Sequence, residues 1–210
     1  MSEVQTSYDR LAPEYAARIY GELAHKPFDR ELLDRFAQQL AGKGPVCDLG
    51  CGPGHVARYL HERGVDTFGI DLSPAMVDEA NRLNPGLAFR QGDILSLTDR
   101  EGSWAGAAAF YSLIHFTAGQ LATAAREVYR VLQPGGLLLV AFHVGREVRH
   151  LDELWGVPVD LDFRFFQPGE MTGCLEGAGF TIDESHEREP YPDVEAQTRR
   201  CYIRARKQVA

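Results

Sequence analysis

No stretch of this sequence approaches the ~20 consecutive apolar residues that a membrane-spanning helix requires, so nothing in it points to a membrane. Cysteine is scarce: Cys47, Cys51, Cys174 and Cys201 form neither a C-x-x-C pair nor a dense framework. That excludes a disulfide scaffold and a zinc ribbon, and fits reduced thiols. Basic charge is short as well, 22 Lys and Arg against 30 Asp and Glu, for a net charge of −8. A protein that grips nucleic acid needs a basic face to neutralise phosphates, so nucleic acid is not an expected partner. The one cationic cluster, Arg199, Arg200, Arg204, Arg206 and Lys207, reads as charges on a solvated edge strand, where they discourage edge pairing. The opening residues, Met1 to Thr6, lack the basic-then-apolar pattern of a secretory signal. The expectation is a cytoplasmic protein, monomer or homodimer. No repeat or low-complexity segment is present.

What remains is the composition of an ordinary globular domain, 210 residues with 44% hydrophobic and 25% charged, enough for one full core. Residues 1–42 read as helices. In the second of them Phe28, Leu32, Leu33, Phe36 and Leu40 recur at helical spacing. Gly42-Lys43-Gly44-Pro45 then breaks the chain before a first strand. Strands near 46–50, 66–70, 87–90, 106–111 and 136–142 alternate with helices near 54–63, 74–83 and 118–132. Such alternation predicts a parallel sheet wrapped by helices on both faces. Residues 145–168 read as an irregular, aromatic-rich insertion. A helix follows from Pro168, and 180–187 with 199–206 form a final antiparallel pair.

The most informative run is Val46-Cys47-Asp48-Leu49-Gly50-Cys51-Gly52-Pro53-Gly54-His55. An apolar strand ends in glycines spaced G-x-G-x-G, which let the backbone approach a ligand with no Cβ in the way. A second strand, Thr67-Phe68-Gly69-Ile70, ends in Asp71, and an acid at that place suits the paired hydroxyls of a ribose. Together they point to a nucleoside-containing cofactor. A dinucleotide fingerprint reads G-x-G-x-x-G and faces a pyrophosphate. Here the third glycine comes one residue early, and Asp48 would repel a pyrophosphate while favouring a cationic ligand.

Asp48 to Gly54 resembles the first motif of the class I S-adenosylmethionine-dependent methyltransferases, and the likeness continues in order. Asp71-Leu72-Ser73-Pro74-Ala75-Met76 is similar to the second motif and Gln91-Gly92-Asp93-Ile94 to the third. Phe110-Tyr111-Ser112-Leu113-Ile114-His115 stands at the fourth strand, and Val131 to Val140, with Pro134-Gly135-Gly136, matches the helix, turn and fifth strand. The likeness is strong from Pro45 to about Val144, roughly half the chain. It implies a Rossmann-like α/β fold: a three-layer αβα sandwich with a seven-stranded, mostly parallel sheet whose last strand is antiparallel. One domain would span 1–210, with 1–42 as a helical lid and 145–168 roofing the substrate. It implies S-adenosylmethionine as cofactor, S-adenosylhomocysteine as product, and methyl transfer by in-line displacement.

The same likeness implies a cofactor site of Tyr15, Asp48, Gly50, Cys51, Gly52, Gly54, Asp71, Leu72, Met76, Asp93, Ile94 and Tyr111. Asp71 would take the ribose hydroxyls and Asp93 the adenine amino group, with Ile94 against the ring. In many relatives an N-terminal Tyr segment folds over the cofactor. Tyr15 would then touch the methionine moiety and Arg18 its carboxylate, with Tyr8 and Arg18 counted on the acceptor side. Trp155, Phe163, Phe165 and Phe166 would wall an apolar acceptor pocket or stabilise the sulfonium by cation–π attraction; packing beneath a long loop is their other reading. His115 and His143 follow the fourth and fifth strands and are the candidate bases, since an imidazole titrates near neutrality. Their other reading is a polar pocket wall. His55 reads as structural, and Trp104 as core or surface.

Missing motifs narrow the acceptor. No Asp/Asn-Pro-Pro-aromatic run follows the fourth strand, no Pro-Cys pair offers a nucleophile for pyrimidine C5, and no spaced acids suggest a magnesium site, so no metal is expected. A small organic molecule, methylated on O or N, is the expected acceptor. Two alternatives stay open: a non-catalytic S-adenosylmethionine-binding regulatory module, and an NAD-dependent oxidoreductase. Against the latter, Tyr-x-x-x-Lys is absent.

Overall fold

The computed structural model describes residues 2–209. Two helices come first, α1 (Glu3–Ile19) and α2 (Pro27–Leu40), separated by a short 3₁₀ turn at Glu22–His25. β1 (Val46–Leu49), α3 (His55–His61), β2 (Thr67–Asp71), α4 (Pro74–Leu83) and β3 (Ala88–Gln91) follow, then β4 (Trp104–Phe110), α5 (Ala118–Val131) and β5 (Leu132–His143). After a hairpin, β6 (Val148–Leu154) and β7 (Val157–Arg164), the chain ends in α6 (Pro168–Gly177), β8 (Phe180–Arg188) and β9 (Arg200–Lys207). The seven-stranded sheet runs in the order β3-β2-β1-β4-β5-β9-β8. β1 to β5 pair in parallel, and β9 runs antiparallel to both of its neighbours.

Local chemistry sets these elements. Ser2 caps α1 by accepting from the Gln5 amide, and Ser73 caps α4 by accepting from Met76. Thr117 and Gln120 cap each other's backbone at the start of α5. Pro27, Pro74 and Pro168 occupy first-turn positions where no amide hydrogen is needed. Successive strand residues face opposite sides of the sheet. Cys47, Leu49, Ala107, Ala109, Leu138 and Val140 therefore face the core beneath α5 and α6. Val46, Ala108, Leu137 and Leu139 face the core beneath α2 and α3, where Leu33, Phe36 and Leu40 complete the apolar stripe. A fully buried leucine in such a core contributes roughly 1.5–3 kcal/mol. Trp104 is a core residue, 2% exposed, with its indole N–H donated to Asp99 at 3.2 Å.

Two expectations need correction. Residues 145–168 are not irregular: β6 and β7 form an antiparallel hairpin closed by Trp155-Gly156, both at positive φ (53° and 82°). That is the conformation a two-residue hairpin turn requires. Val159 and Leu161 of β7 are buried and the hairpin packs on α1, tied by Ser7 Oγ, which accepts from the Asp160 amide at 2.8 Å. The arginine-rich final strand is not an edge either. β9 lies between β5 and β8, and acids neutralise it: Arg204 with Asp183 and Glu184, Arg206 with Asp183, Arg199 with Glu187 and buried Arg200 with Glu195. All four cysteines are free.

Candidate functional site

The chain runs outward from β1 to β2 and β3, then returns to β4 on the other side of β1. Ligands of such sheets bind at this switch point, beyond the carboxyl ends of the strands. The loop after β1 and the end of β4 approach closely there. A Cβ on Gly50 (φ +64°) would lie 2.3 Å from the Ser112 Cβ, so only glycine fits. Gly54 (φ +81°), which starts α3, is equally constrained, since a Cβ would meet Phe89 at 2.6 Å.

A cavity partly open to solvent lies over this point. Its floor is Gly50, Gly52, Asp71, Leu72, Met76, Gly92, Asp93 and Ile94; its other walls are Phe110, Tyr111, Ser112, His115 and Phe116, with Val4, Tyr8 and Tyr15 from α1. Asp71 accepts from the amides of Gly52 (2.8 Å) and Ser73 (2.9 Å). Burial still pushes its pKa up to about 6. Asp48 stands behind the loop, 3% exposed, accepting from the Ala57 amide at 3.0 Å; burial raises it to about 6. Cys51 and Gly54 are also buried behind the loop. These three brace the turn without lining the cavity.

His115 has a defined tautomer. Its Nδ1 lies 2.9 Å from the carbonyl oxygen of Asp162, which can only accept, so Nδ1 carries the hydrogen. Nε2 then presents its lone pair, and the Tyr8 hydroxyl donates to it at 2.8 Å. Burial lowers the His115 pKa to about 4, keeping the ring neutral at pH 7. Phe163 of β7 packs edge-on against the ring from behind, centroids 5.0 Å apart.

His143 is elsewhere. It sits between the rings of Tyr111 (5.0 Å) and Phe165 (5.3 Å), with Nδ1 2.8 Å from the Thr198 hydroxyl. Burial, followed by Arg200 and Lys26, pushes its pKa down to about 3. Tyr111 does line the cavity, held at φ 56°, with its hydroxyl 3.0 Å from that of Tyr202. Tyr202 in turn donates to buried Asp29. Arg18 pairs with Glu14 and sits 5.2 Å from the Trp155 ring, while Trp155 packs on Tyr15. Phe166 packs on Phe142. Arg18, Trp155, Phe163, Phe165, Phe166 and His143 therefore stand outside the cavity lining.

Sequence reasoning left Val4, Gly92, Phe110, Ser112 and Phe116 out of the site. The Ser112 hydroxyl is buried with no hydrogen-bond partner. Phe116 had a signal in adjoining the quoted strand-four segment; Val4 had none. No group of residues among those described could hold a metal.

Residues 46–136 match the methyltransferase-domain family. Over 156 residues the chain is 29% identical to a malonyl-[acyl-carrier protein] O-methyltransferase of Enterobacter lignolyticus, covering 72% of this chain and 58% of that protein. The chain spans about half the length of the curated relatives it matches (58%, 53% and 42%). A SAM-dependent methyltransferase of Methanosarcina mazei superposes with a TM-score of 0.74 at 20% identity, covering 83% of this chain and 97% of that one. The [4+2]-cyclase SpnF superposes at 0.67 with 23% identity, covering 86% and 81%. The fold is Rossmann-like, of the kind found in methyltransferases. Over residues 46–136 the chain resembles the methyltransferase-domain family, and its fold is that of S-adenosylmethionine-dependent methyltransferases.

S-adenosylmethionine is the cofactor of the methyltransferases that share this fold. The cavity suits it: the charged lining residues are two acids, Asp71 and Asp93, and no lysine or arginine lines it. A ligand bearing a sulfonium and an ammonium, and no phosphate, fits that lining.

Proposed function

We propose that this protein transfers the methyl group of S-adenosylmethionine to an oxygen or nitrogen of a small organic molecule. The observation that carries the reading is a single cavity lined both by the motif residues (Gly50, Gly52, Asp71, Asp93, Ile94) and by a neutral imidazole with an oriented lone pair, His115. Asp71 accepts from the ribose hydroxyls, and Asp93 from the adenine amino group. Leu72, Met76 and Ile94 pack on the base. The Gly50–Gly52 backbone and Tyr15 hold the methionine end, with Asp48, Cys51 and Gly54 keeping the turn in shape. α1 is the lid, and the hairpin of 145–168 lies on it as the roof. When bound, the cofactor supplies a methyl group on a good leaving group. The protein's work is then alignment, worth roughly 7–11 kcal/mol of barrier, and exclusion of water by α1. His115 takes the proton of an acceptor that must lose one, which adds ~10²–10⁴-fold. We extend the proposal to a cytoplasmic enzyme; no helix among the described residues is long and apolar enough to cross a membrane.

A regulatory S-adenosylmethionine-binding module is the second reading, favoured by one observation: Tyr8 already occupies the His115 lone pair. The SpnF likeness also shows that the fold does not dictate the reaction. Calorimetric titration with S-adenosylmethionine, S-adenosylhomocysteine and NAD, on wild type and Asp71→Ala, tests cofactor use. Binding of both adenosyl ligands, weakened at least tenfold in the variant, is expected; binding of NAD alone refutes the proposal. Acceptor-dependent formation of S-adenosylhomocysteine separates the enzyme from the module.

A further inference from the structure

The cavity walls carry information about the acceptor as well as the cofactor. Away from the glycine turn and the segments at Asp71 and Asp93, the lining is Val4, Tyr8, Tyr15, Phe110, Tyr111, Ser112, His115 and Phe116. Apart from Ser112 these are aromatic or apolar groups, and no lysine or arginine stands among them.

Buried cations do lie close behind Tyr111, but they are spent. Lys26 Nζ and the Arg200 guanidinium sit 5.6 and 5.8 Å from the Tyr111 ring. Lys26 pairs with Glu22 (2.7 Å) and Glu195 (3.5 Å), and Arg200 with Glu195 (3.0 Å). Arg188, beside them, pairs with Asp29 (2.9 Å) and Glu195 (2.5 Å). Lys26, Arg188 and Arg200 thus face Glu22, Asp29 and Glu195, three charges against three. The cluster has no spare positive charge for an anionic ligand, and a carboxylate in the cavity would meet no protein cation.

The polar acceptor with a fixed direction on that side is His115 Nε2, and what it binds in this structure is a phenol. The Tyr8 hydroxyl donates to it from an aromatic ring packed edge-on at 5.4 Å. A carboxylate brings no proton, so the Asp162–His115 arrangement would have no task with one. A neutral hydroxyl on a planar ring needs just that lone pair.

We propose that the acceptor is an uncharged planar hydroxyl compound, a phenol or enol, whose O–H replaces Tyr8 as donor to His115 Nε2. This rests on the methyl-transfer reading and departs from the malonyl relative, whose name specifies an acid-bearing acyl group. The acceptor oxygen forms the bond to the methyl carbon as the sulfur–carbon bond breaks, its electron pair staying on sulfur. The hydroxyl proton passes to His115 Nε2, and the imidazolium returns it to solvent. One positive charge is consumed at sulfur and one appears on the imidazole.

The test compares 2-naphthol with 2-naphthoate, matched in shape and differing in charge and proton. S-adenosylhomocysteine is first titrated into the full chain; if it does not bind, the methyl-transfer reading fails and this inference with it. With that ligand bound, 2-naphthol should bind at least tenfold more tightly than 2-naphthoate. Tyr8→Phe, which frees the lone pair, should tighten 2-naphthol at least threefold. His115→Gln should slow methylation of 2-naphthol about 10²–10⁴-fold while still binding S-adenosylhomocysteine. At saturating S-adenosylmethionine the wild-type rate should stay level from pH 8 to pH 5 and fall only at lower pH. Preference for the naphthoate, binding of neither compound, or a methylation rate indifferent to His115→Gln would each overturn the inference.

Discussion

Lowering the pH from 7.5 to 5 should weaken S-adenosylhomocysteine binding about tenfold, and Asp71 is the reason. Its carboxylate is buried in the cavity wall, and burial outweighs the amides of Gly52 and Ser73 to set its pKa at about 6. In the proposed cofactor site the ionised form is the one that would accept from both ribose hydroxyls. For an acid whose pKa is raised, that form is present above about 6 and lost as the pH falls through it. At pH 7.5 some 97% of such a group is ionised, and at pH 5 about 9%, a ratio near ten. An ordinary aspartate near 3.9 would lose less than ~10% of its ionised form over the same interval. Calorimetric titration at half-unit steps measures the curve. Asp71→Asn should bind weakly and without pH dependence. Asp48→Asn, altered behind the loop where no ligand reaches, should retain the limb near 6. An affinity constant down to pH 5 in the wild type, or a slope that survives in Asp71→Asn, would refute the argument.

Two stability predictions follow from packing. Gly54→Ala should cost ~2–4 kcal/mol in urea unfolding, because φ is +81° and the new Cβ would lie 2.6 Å from Phe89 and 2.7 Å from the Asn84 amide; Asn84 is held by Pro53 and Ala80 carbonyls and cannot yield. A loss below ~1 kcal/mol would contradict this. Asp29→Ala should cost ~1–3 kcal/mol, since it removes one of the two carboxylates on Arg188, leaving Glu195, and the acceptor of the buried Tyr202 hydroxyl, and an unchanged unfolding midpoint would show that the cluster contributes nothing.

Much of the fold was legible because its signals are local. The glycine turn, the acid ending β2, and the alternation of strand and helix each occupy a few contiguous residues, and their order implied the sheet. The hairpin was not legible. None of the β6 residues Val148–Leu154 is buried, and Pro158 within β7 argues against a strand. The inner place of β9 was equally hidden, since an arginine-rich strand reads as an edge until the acids of β8 are seen beside it. In the site, residues within one motif segment arrive together in the cavity. Tyr8, His115 and Asp162 do not announce their meeting: 107 and 47 residues separate the partners, and only the packing of hairpin on helix joins them. His143 was placed by its strand end and the aromatics of 163–166 by their insertion, but the pleat and the hairpin set His143 on Phe165, Phe166 on Phe142 and Phe163 behind His115.

The position of β9 bears on how the chain is made. β5 is almost wholly interior, yet one of its two edges is satisfied by residues 200–207, which are made long after it. Until those residues emerge, an apolar strand carries an open row of amides and carbonyls, the template on which unrelated chains pair. Nascent chains arrested before residue 200 should therefore depend on holding factors and be prone to aggregate, whereas a loss confined to the residues beyond β9 should be harmless to assembly of the sheet.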